Sequence, residues 1–228
     1  MPYEVILFDA DETLFDFKKA EKDALKNTML QFEIDYDETT HLEIYSTINA
    51  AIWKDFENGL ITQHALKAER FRRFARHIHV HFDSEQFAKS YMFHLSQASY
   101  LYEDSKPLVK GLCSEYKLSI ITNGLTDVQQ KRIRESEIAK YLVDVVISEE
   151  VGVSKPDPKI FTIALANINH DDKATVLMVG DSLTSDVQGG IDFGIDTCWY
   201  NPNKVINDTE IKPTYEIASL MELKSILK

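Results

Sequence analysis

Short runs dominated by Val, Ile and Leu, separated by stretches long enough for a helix, constrain this chain more than any other feature. They are Tyr3 to Phe8, Leu118 to Thr122, Val143 to Ile147, Thr175 to Val179 and Thr197 to Tyr200. Apolar runs rich in β-branched residues belong to strands buried on both faces, and crossover-length spacers make such strands parallel. The expectation is an α/β fold, a Rossmann-like parallel sheet core. One long stretch interrupts it. Residues 17–100 hold no strand pattern, and their apolar residues follow helical spacing, as in Ile48, Ile52, Trp53, Phe56 and again Leu66, Phe71, Phe74, Ala75. Asn58-Gly59 parts two of these helices. The predicted organisation is therefore a core domain over 1–16 and 101–228, with an inserted all-helical domain over 17–100. Trp53, Phe56, Phe71 and Phe74 are expected to fill the core of that insert. Neither internal repeats nor low-complexity segments occur.

The chemistry-bearing residues cluster just after the strands. The first strand runs into Asp9 and Asp11, the second into Thr122-Asn123, the third is followed by Lys155, and the fourth runs into Asp181, with Asp186 soon after. In an open parallel sheet the carboxyl ends of the strands form the binding crevice, so these points should converge. Asp9 and Asp11 are two apart, and on an extended chain both would point toward one spot. Crowded acids persist where a cation or a mobile proton makes them useful. Asp9, Asp11 and Asp181 offer hard oxygen ligands suited to Mg2+ rather than zinc. Lys155 adds a compact positive charge, while the Thr122 hydroxyl and the amides near Asn123 add donors. Such a set neutralises a transferring phosphoryl group, leaving one carboxylate to attack phosphorus and its neighbour to manage the proton.

Charge and cysteine usage narrow the partners. With 25 Lys and Arg against 37 Asp and Glu, the net charge is -12. So acidic a surface repels phosphate backbones, which argues against a nucleic-acid polymer or an anionic membrane as partner. Cys113 and Cys198 lie far apart, in no zinc or disulfide pattern. No window approaches the roughly 18 apolar residues of a membrane span, and the N-terminus lacks a signal-peptide pattern. The expected location is cytoplasmic, where the sequon Asn207-Asp208-Thr209 has no consequence.

DADET near the start, ITN at a strand end, the lysine of VSKPDPKIF, and GDSLTSD resemble the four ordered motifs of the haloacid dehalogenase-like (HAD) superfamily of phosphohydrolases. NGLIT, ITNGLTDVQQ, VISEEVGVSKP and SDVQGGIDFGIDTCWYN are similar to its pyrimidine 5'-nucleotidase branch, of the YjjG type. The resemblance spans the whole chain. It implies the HAD fold with a helical cap, Mg2+ as cofactor, and a small-molecule phosphate ester, a nucleoside monophosphate, as substrate, handled by a monomer or homodimer. It also implies roles. Asp9 would be the nucleophile that forms an aspartyl-phosphate. Asp11 would be the general acid and then base, its backbone carbonyl also a metal ligand. Thr122 and Asn123 would clamp the phosphate, Lys155 would stabilise nucleophile and intermediate, and Asp181 would bind the metal directly. Asp186 and Thr13 would stand one layer out.

The superfamily pattern is often D-x-D-G-T. Here Glu12 replaces the glycine, which demands either an ordinary backbone conformation or some strain. The same framework also serves sugar-phosphate phosphatases, phosphomutases and haloacid dehalogenases; Asp11 argues against the last. A receiver-like signalling module also gathers acids, a threonine and a lysine, but its acceptor aspartate sits on a later strand and no helical insert follows the first. In the insert, Arg70, Arg72, Arg73 and Arg76 are expected on a solvated helix face. His77, His79 and His81 lack the partners of a metal site.

Overall fold

The structure is a computed structural model that describes residues 3–227. The chain divides into two compact units, Met1–Phe17 with Ser99–Lys228, and Lys18–Ala98.

The first unit is built on a six-stranded sheet with the order β3-β2-β1-β4-β5-β6. Its strands are β1 (Val5–Phe8), β2 (Lys117–Thr122), β3 (Asp144–Ile147), β4 (Val176–Gly180), β5 (Asp196–Tyr200) and β6 (Tyr215–Ile217). Every pairing is parallel, and β1 lies between β2 and β4, with Ile6 opposite both Leu118 and Leu177. The β-branched runs place five of these strands; β6 has only three residues, too few for a periodic signal, and pairs at the edge of the sheet with β5.

Alternation along the strands divides the core in two. Ile6, Phe8, Leu118, Ile120, Leu177 and Val179 share one cluster, while Val5, Leu7, Ile121, Val146 and Met178 share the other. Both clusters are covered by helices, since both faces of a parallel sheet must be buried. The first takes Leu108 and Leu112, Ile133 and Leu223, and the second takes Ile160, Phe161 and Ala164. Full burial of one such side chain contributes roughly 1.5–3 kcal/mol.

The helices, in chain order, are α1 (Phe17–Gln31), α2 (Glu43–Glu57), α3 (Gln63–His77), α4 (Ser84–Gln97), α5 (Ser105–Leu112), α6 (Thr126–Arg134), α7 (Ser148–Val151), α8 (Pro158–Asn167), α9 (Gln188–Phe193) and α10 (Leu223–Ile226). The second unit is formed by the first four of these, apart from Phe17. Side-chain caps fix the starts of two of its helices. The Thr62 hydroxyl accepts from the Ala65 amide ahead of α3, and the Asp83 carboxylate accepts from the Glu85 and Gln86 amides at α4.

The core of this unit is aromatic. Tyr45 stacks on Phe71 at 5.3 Å between centroids, and Phe82 on Phe87 at 4.2 Å. Two expectations fail here. Phe71 and Phe74 are fully buried, but Trp53 and Phe56 are only half-buried and meet each other edge to face. Arg70 is not on a solvated face: it is buried, because it stands four residues from both Leu66 and Phe74 on the inward stripe of α3. Its Nη1 donates to Asn49 Oδ1 at 3.1 Å, and its guanidinium lies over the Phe71 and Tyr91 rings.

Candidate active site

Because β1 lies between β2 and β4, the residues that follow these three strands fall within about two strand spacings, roughly 10 Å. Asp9 follows β1, Asn123 follows β2 and Asp181 follows β4. Lys155 lies in the loop between α7 and α8, and Asp186 in the short helical turn Leu183–Val187.

Lys155 is the centre of the group. Its side chain is buried, and its three ammonium protons find three acceptors: Asp9 Oδ1 at 2.6 Å, Asp186 Oδ1 at 2.7 Å and the Ile121 carbonyl at 2.8 Å. Its backbone is held as well. The Lys155 amide donates to Asn123 Oδ1 at 2.8 Å, and Asn123 Nδ2 donates to the Lys155 carbonyl at 2.8 Å. This reciprocal pair joins the end of β2 to the Lys155 loop. The other oxygen of Asp186, Oδ2, accepts from the Ser182 amide at 3.0 Å. Gly180 makes room for it, since a Cβ there would fall 2.2 Å from that oxygen. The Asp181 carbonyl accepts from the Trp199 indole at 2.8 Å, which fixes the backbone that carries the Asp181 carboxylate.

Carboxylate oxygens of Asp9, Asp181 and Asp186 all lie within 4.8 Å of one another. Burial, reinforced by the charge of Asp186, pushes Asp9 up to about 7 even though Lys155 pulls it down. Burial again, with Asp9 and Asp186 adding to it, pushes Asp181 up to about 9. Burial alone would lower the Lys155 ammonium, but Asp186 and Asp9 reverse that and hold it above its ordinary value. Fully ionised, three carboxylates against one ammonium would leave two negative charges in a largely buried space, and without a cation the raised acids hold protons instead. A divalent cation matches that excess, and an all-oxygen donor set suits magnesium.

Asp11 is placed differently from the expectation that its side chain would join that of Asp9. The strand ends at Phe8, so period-two geometry no longer applies, and the two carboxylates go to different cations. Asp11 Oδ1 accepts from Arg132 Nη1 at 2.7 Å, and Asp11 Oδ2 accepts from Gln129 Nε2 at 2.6 Å. Thr122 does not cap α6; it is buried, and its Oγ1 accepts from the same Gln129 Nε2 at 3.2 Å. The hydroxyl of Thr13, fully buried, has no hydrogen-bond partner among the described residues. Glu12 takes the strained option, a left-handed φ of 62°. Gln129 and Arg132 escaped the sequence reading. Their only signal was a spacing of three on the helix that follows ITNGL, which any solvated helix face shares.

The arrangement carries an acid that can attack, a lysine that orients it, and hydroxyl and amide groups nearby. Known proteins place it in a family. The model of the haloacid dehalogenase-like hydrolases matches residues 6–200. The chain is 37% identical over 228 residues to the pyrimidine 5'-nucleotidase PynA of Streptococcus pneumoniae, covering all of this chain and 96% of that protein. It is 34% identical over 227 residues to the pyrimidine 5'-nucleotidase YjjG of Escherichia coli, covering 100% and 99%. Among solved structures, the magnesium-bound HAD-hydrolase YfnB of Bacillus subtilis superposes with a TM-score of 0.94 at 34% identity, over the whole of both chains. The chain belongs to the haloacid dehalogenase-like hydrolases.

Proposed function

We propose that this chain is a magnesium-dependent phosphatase that hydrolyses nucleoside 5'-monophosphates, pyrimidine ones in particular, through an aspartyl-phosphate on Asp9. The observation that carries this reading is the gathering of Asp9, Asp181 and Asp186 around Lys155 at the ends of adjacent strands. The nucleotidases that the chain resembles along its full length support the substrate class. No helix among the described residues is long and apolar enough to cross a membrane, and both cysteines are free thiols, which accords with a cytoplasmic setting.

The steps follow from the residues. Lys155 holds one oxygen of Asp9 and so orients the carboxylate for in-line attack on phosphorus. As the new O–P bond forms, the ester P–O bond breaks and its electron pair stays on the leaving oxygen, which takes the proton of the Asp11 carboxyl. Water then attacks the phosphoryl group and yields its proton to Asp11, and Asp9 departs as a carboxylate. Thr122 and the Asn123 amide would hold the non-bridging oxygens, and Lys155 would offset their charge. Magnesium, held by Asp9, Asp181 and the Asp11 carbonyl, would neutralise phosphoryl charge when bound.

The test is a panel of nucleoside monophosphates and sugar phosphates scored by kcat/KM with magnesium, repeated with a chelator. Preference for pyrimidine monophosphates and loss of activity on chelation are expected. A flat profile would leave a broad phosphatase. Hydrolysis of none of the esters would overturn the reading.

A further inference from the structure

The Asp11 carboxylate is held from both sides by two side chains of one helix, and both donors are themselves immobilised. Arg132 is fully buried, its guanidinium lies over the Phe15 and Phe17 rings at 5.7 and 5.5 Å, and its Nη1 also donates to Gln129 Oε1 at 3.0 Å. Gln129 is 1% exposed and joins Asp11 Oδ2 to Thr122 Oγ1 through a single nitrogen. The backbone makes space for it. A Cβ on Gly124 would stand 2.3 Å from Gln129 Cγ and 2.5 Å from its Nε2, so any larger residue at 124 would expel the amide from this position. Three separate features, the empty volume over Gly124, the aromatic bed under Arg132 and the paired donors, thus converge on one carboxylate.

A solvent-facing aspartate would not need such a cradle, and burying a guanidinium and an amide demands that their hydrogen bonds be used. We propose that Gln129 and Arg132 are positioning residues that fix where Asp11 exchanges its proton with the leaving oxygen, and that Gln129 ties that position to the phosphate-holding Thr122. A carboxylate offers about four lone-pair directions. The two donors occupy one on each oxygen, which sets the torsion of the group and leaves the others for the moving proton. Phosphate on Thr122 and proton donor on Asp11 are then registered through one amide, so displacement of Gln129 costs the placement of the acid relative to the phosphate, while the Thr122 hydroxyl itself remains to hold that phosphate. This inference rests on the proposed phosphatase reading and adds the residues that place its acid.

Leaving groups separate positioning from packing. A nucleoside departs as an alkoxide unless protonated, whereas para-nitrophenolate departs without help. Single-turnover rates of leaving-group release, with enzyme in excess, isolate the first step from the later hydrolysis of the aspartyl-phosphate. Gln129→Met and Arg132→Lys are expected to slow release of nucleoside from a pyrimidine 5'-monophosphate by about 10- to 100-fold, and release of para-nitrophenolate by less than about threefold. Gly124→Ala keeps every polar group but should act as Gln129→Met does, which guards against a charge variant that fails to fold. Equal slowing of both leaving groups by the folded variants, or no slowing of either, would overturn the positioning role while wild-type hydrolysis kept the phosphatase reading intact. If the wild-type protein released neither leaving group, both would fall together.

Discussion

Each unit of this molecule buries cations among hydrogen-bonding partners, and the centres around Arg70 and Lys155 differ in their charge. In the helical unit the buried charged side chains, among the described residues, are Glu21 and Arg70, one acid and one base. Asn49 links them, with Nδ2 donating to Glu21 Oε1 at 2.8 Å and Oδ1 accepting from Arg70, while Ser46 donates to the other Glu21 oxygen. Rings of Phe71 and Tyr91 enclose the guanidinium. At the strand ends, three carboxylates cluster beside one lysine, which bonds two of them. A balanced, enclosed network has the character of structure, since its one acid and one base leave no net charge for a ligand to offset. An unbalanced one persists only if something else supplies the missing charge, and that is the character of a site.

The largest test of this contrast is at Asp9, the proposed nucleophile. Asp9→Asn is nearly isosteric and should fold, yet an amide cannot form the acyl-phosphate; turnover should fall by at least about 10⁴-fold, about 5 kcal/mol in the barrier. Near-normal steady-state rates from this variant would remove Asp9 from the chemistry. The matching change in the other unit is Arg70→Met. Removing the guanidinium takes the donor from Asn49 and leaves Glu21 buried with less opposing charge, which should cost about 3–5 kcal/mol of stability. Urea unfolding measures that loss, and hydrolysis of para-nitrophenyl phosphate per folded molecule should change by less than about twofold. If stability held and turnover collapsed, the balanced centre would belong to the chemistry and the contrast would break.

The same contrast explains what could be read from the sequence. Asp9, Asn123 and Asp181 are legible because each sits directly after a strand whose apolar run marks it, and sheet order alone brings strand ends together. The balanced cluster is not legible in this way. Glu21, Asn49 and Arg70 come from three different helices, and an arginine on a helix in sequence looks the same whether it faces water or a ring. Gln129 and Arg132 lie between these cases. Their helix was anticipated, but which face of it is buried depends on the packing of Phe15, Phe17 and Gly124, residues more than a hundred positions away or at the start of the same turn.

Charge excess also predicts how the strand-end centre responds to pH and metal. Asp9 and Asp181 are raised from an ordinary 3.8 to about 7 and about 9, so the folded metal-free protein holds more protons than the unfolded chain across that interval. Their contribution to stability is then fullest below about pH 4 and is lost as pH rises toward 9. Magnesium at the proposed site would compete with those protons for the same oxygens. Its stabilising effect, seen as a rise in Tm, should be small near pH 6 and reach about 1–3 kcal/mol near pH 8.5 at saturating metal. An effect that is equal at both pH values, or larger at the lower one, would show that the metal does not use these acids.

The smallest effects compare two strained backbones. His79 takes φ 56° just after α3, where the Val80 amide donates back to the Ala75 carbonyl, a helix ending that favours glycine. Glu12 takes φ 62° inside the DADET loop, where no helix end calls for it. His79→Gly relieves the left-handed cost at the price of extra freedom in the unfolded chain, and should gain up to about 1 kcal/mol. Glu12→Gly relieves the same strain but also removes the carboxylate that hydrogen-bonds the Tyr102 phenol, so its gain should be smaller, within about 0.5 kcal/mol of zero. Thermal unfolding of the two variants side by side measures the difference. A Glu12→Gly protein that gained as much stability as His79→Gly, but lost turnover on the poor leaving group alone, would mean that the strain in the loop serves to place Asp11 rather than merely to accommodate Glu12.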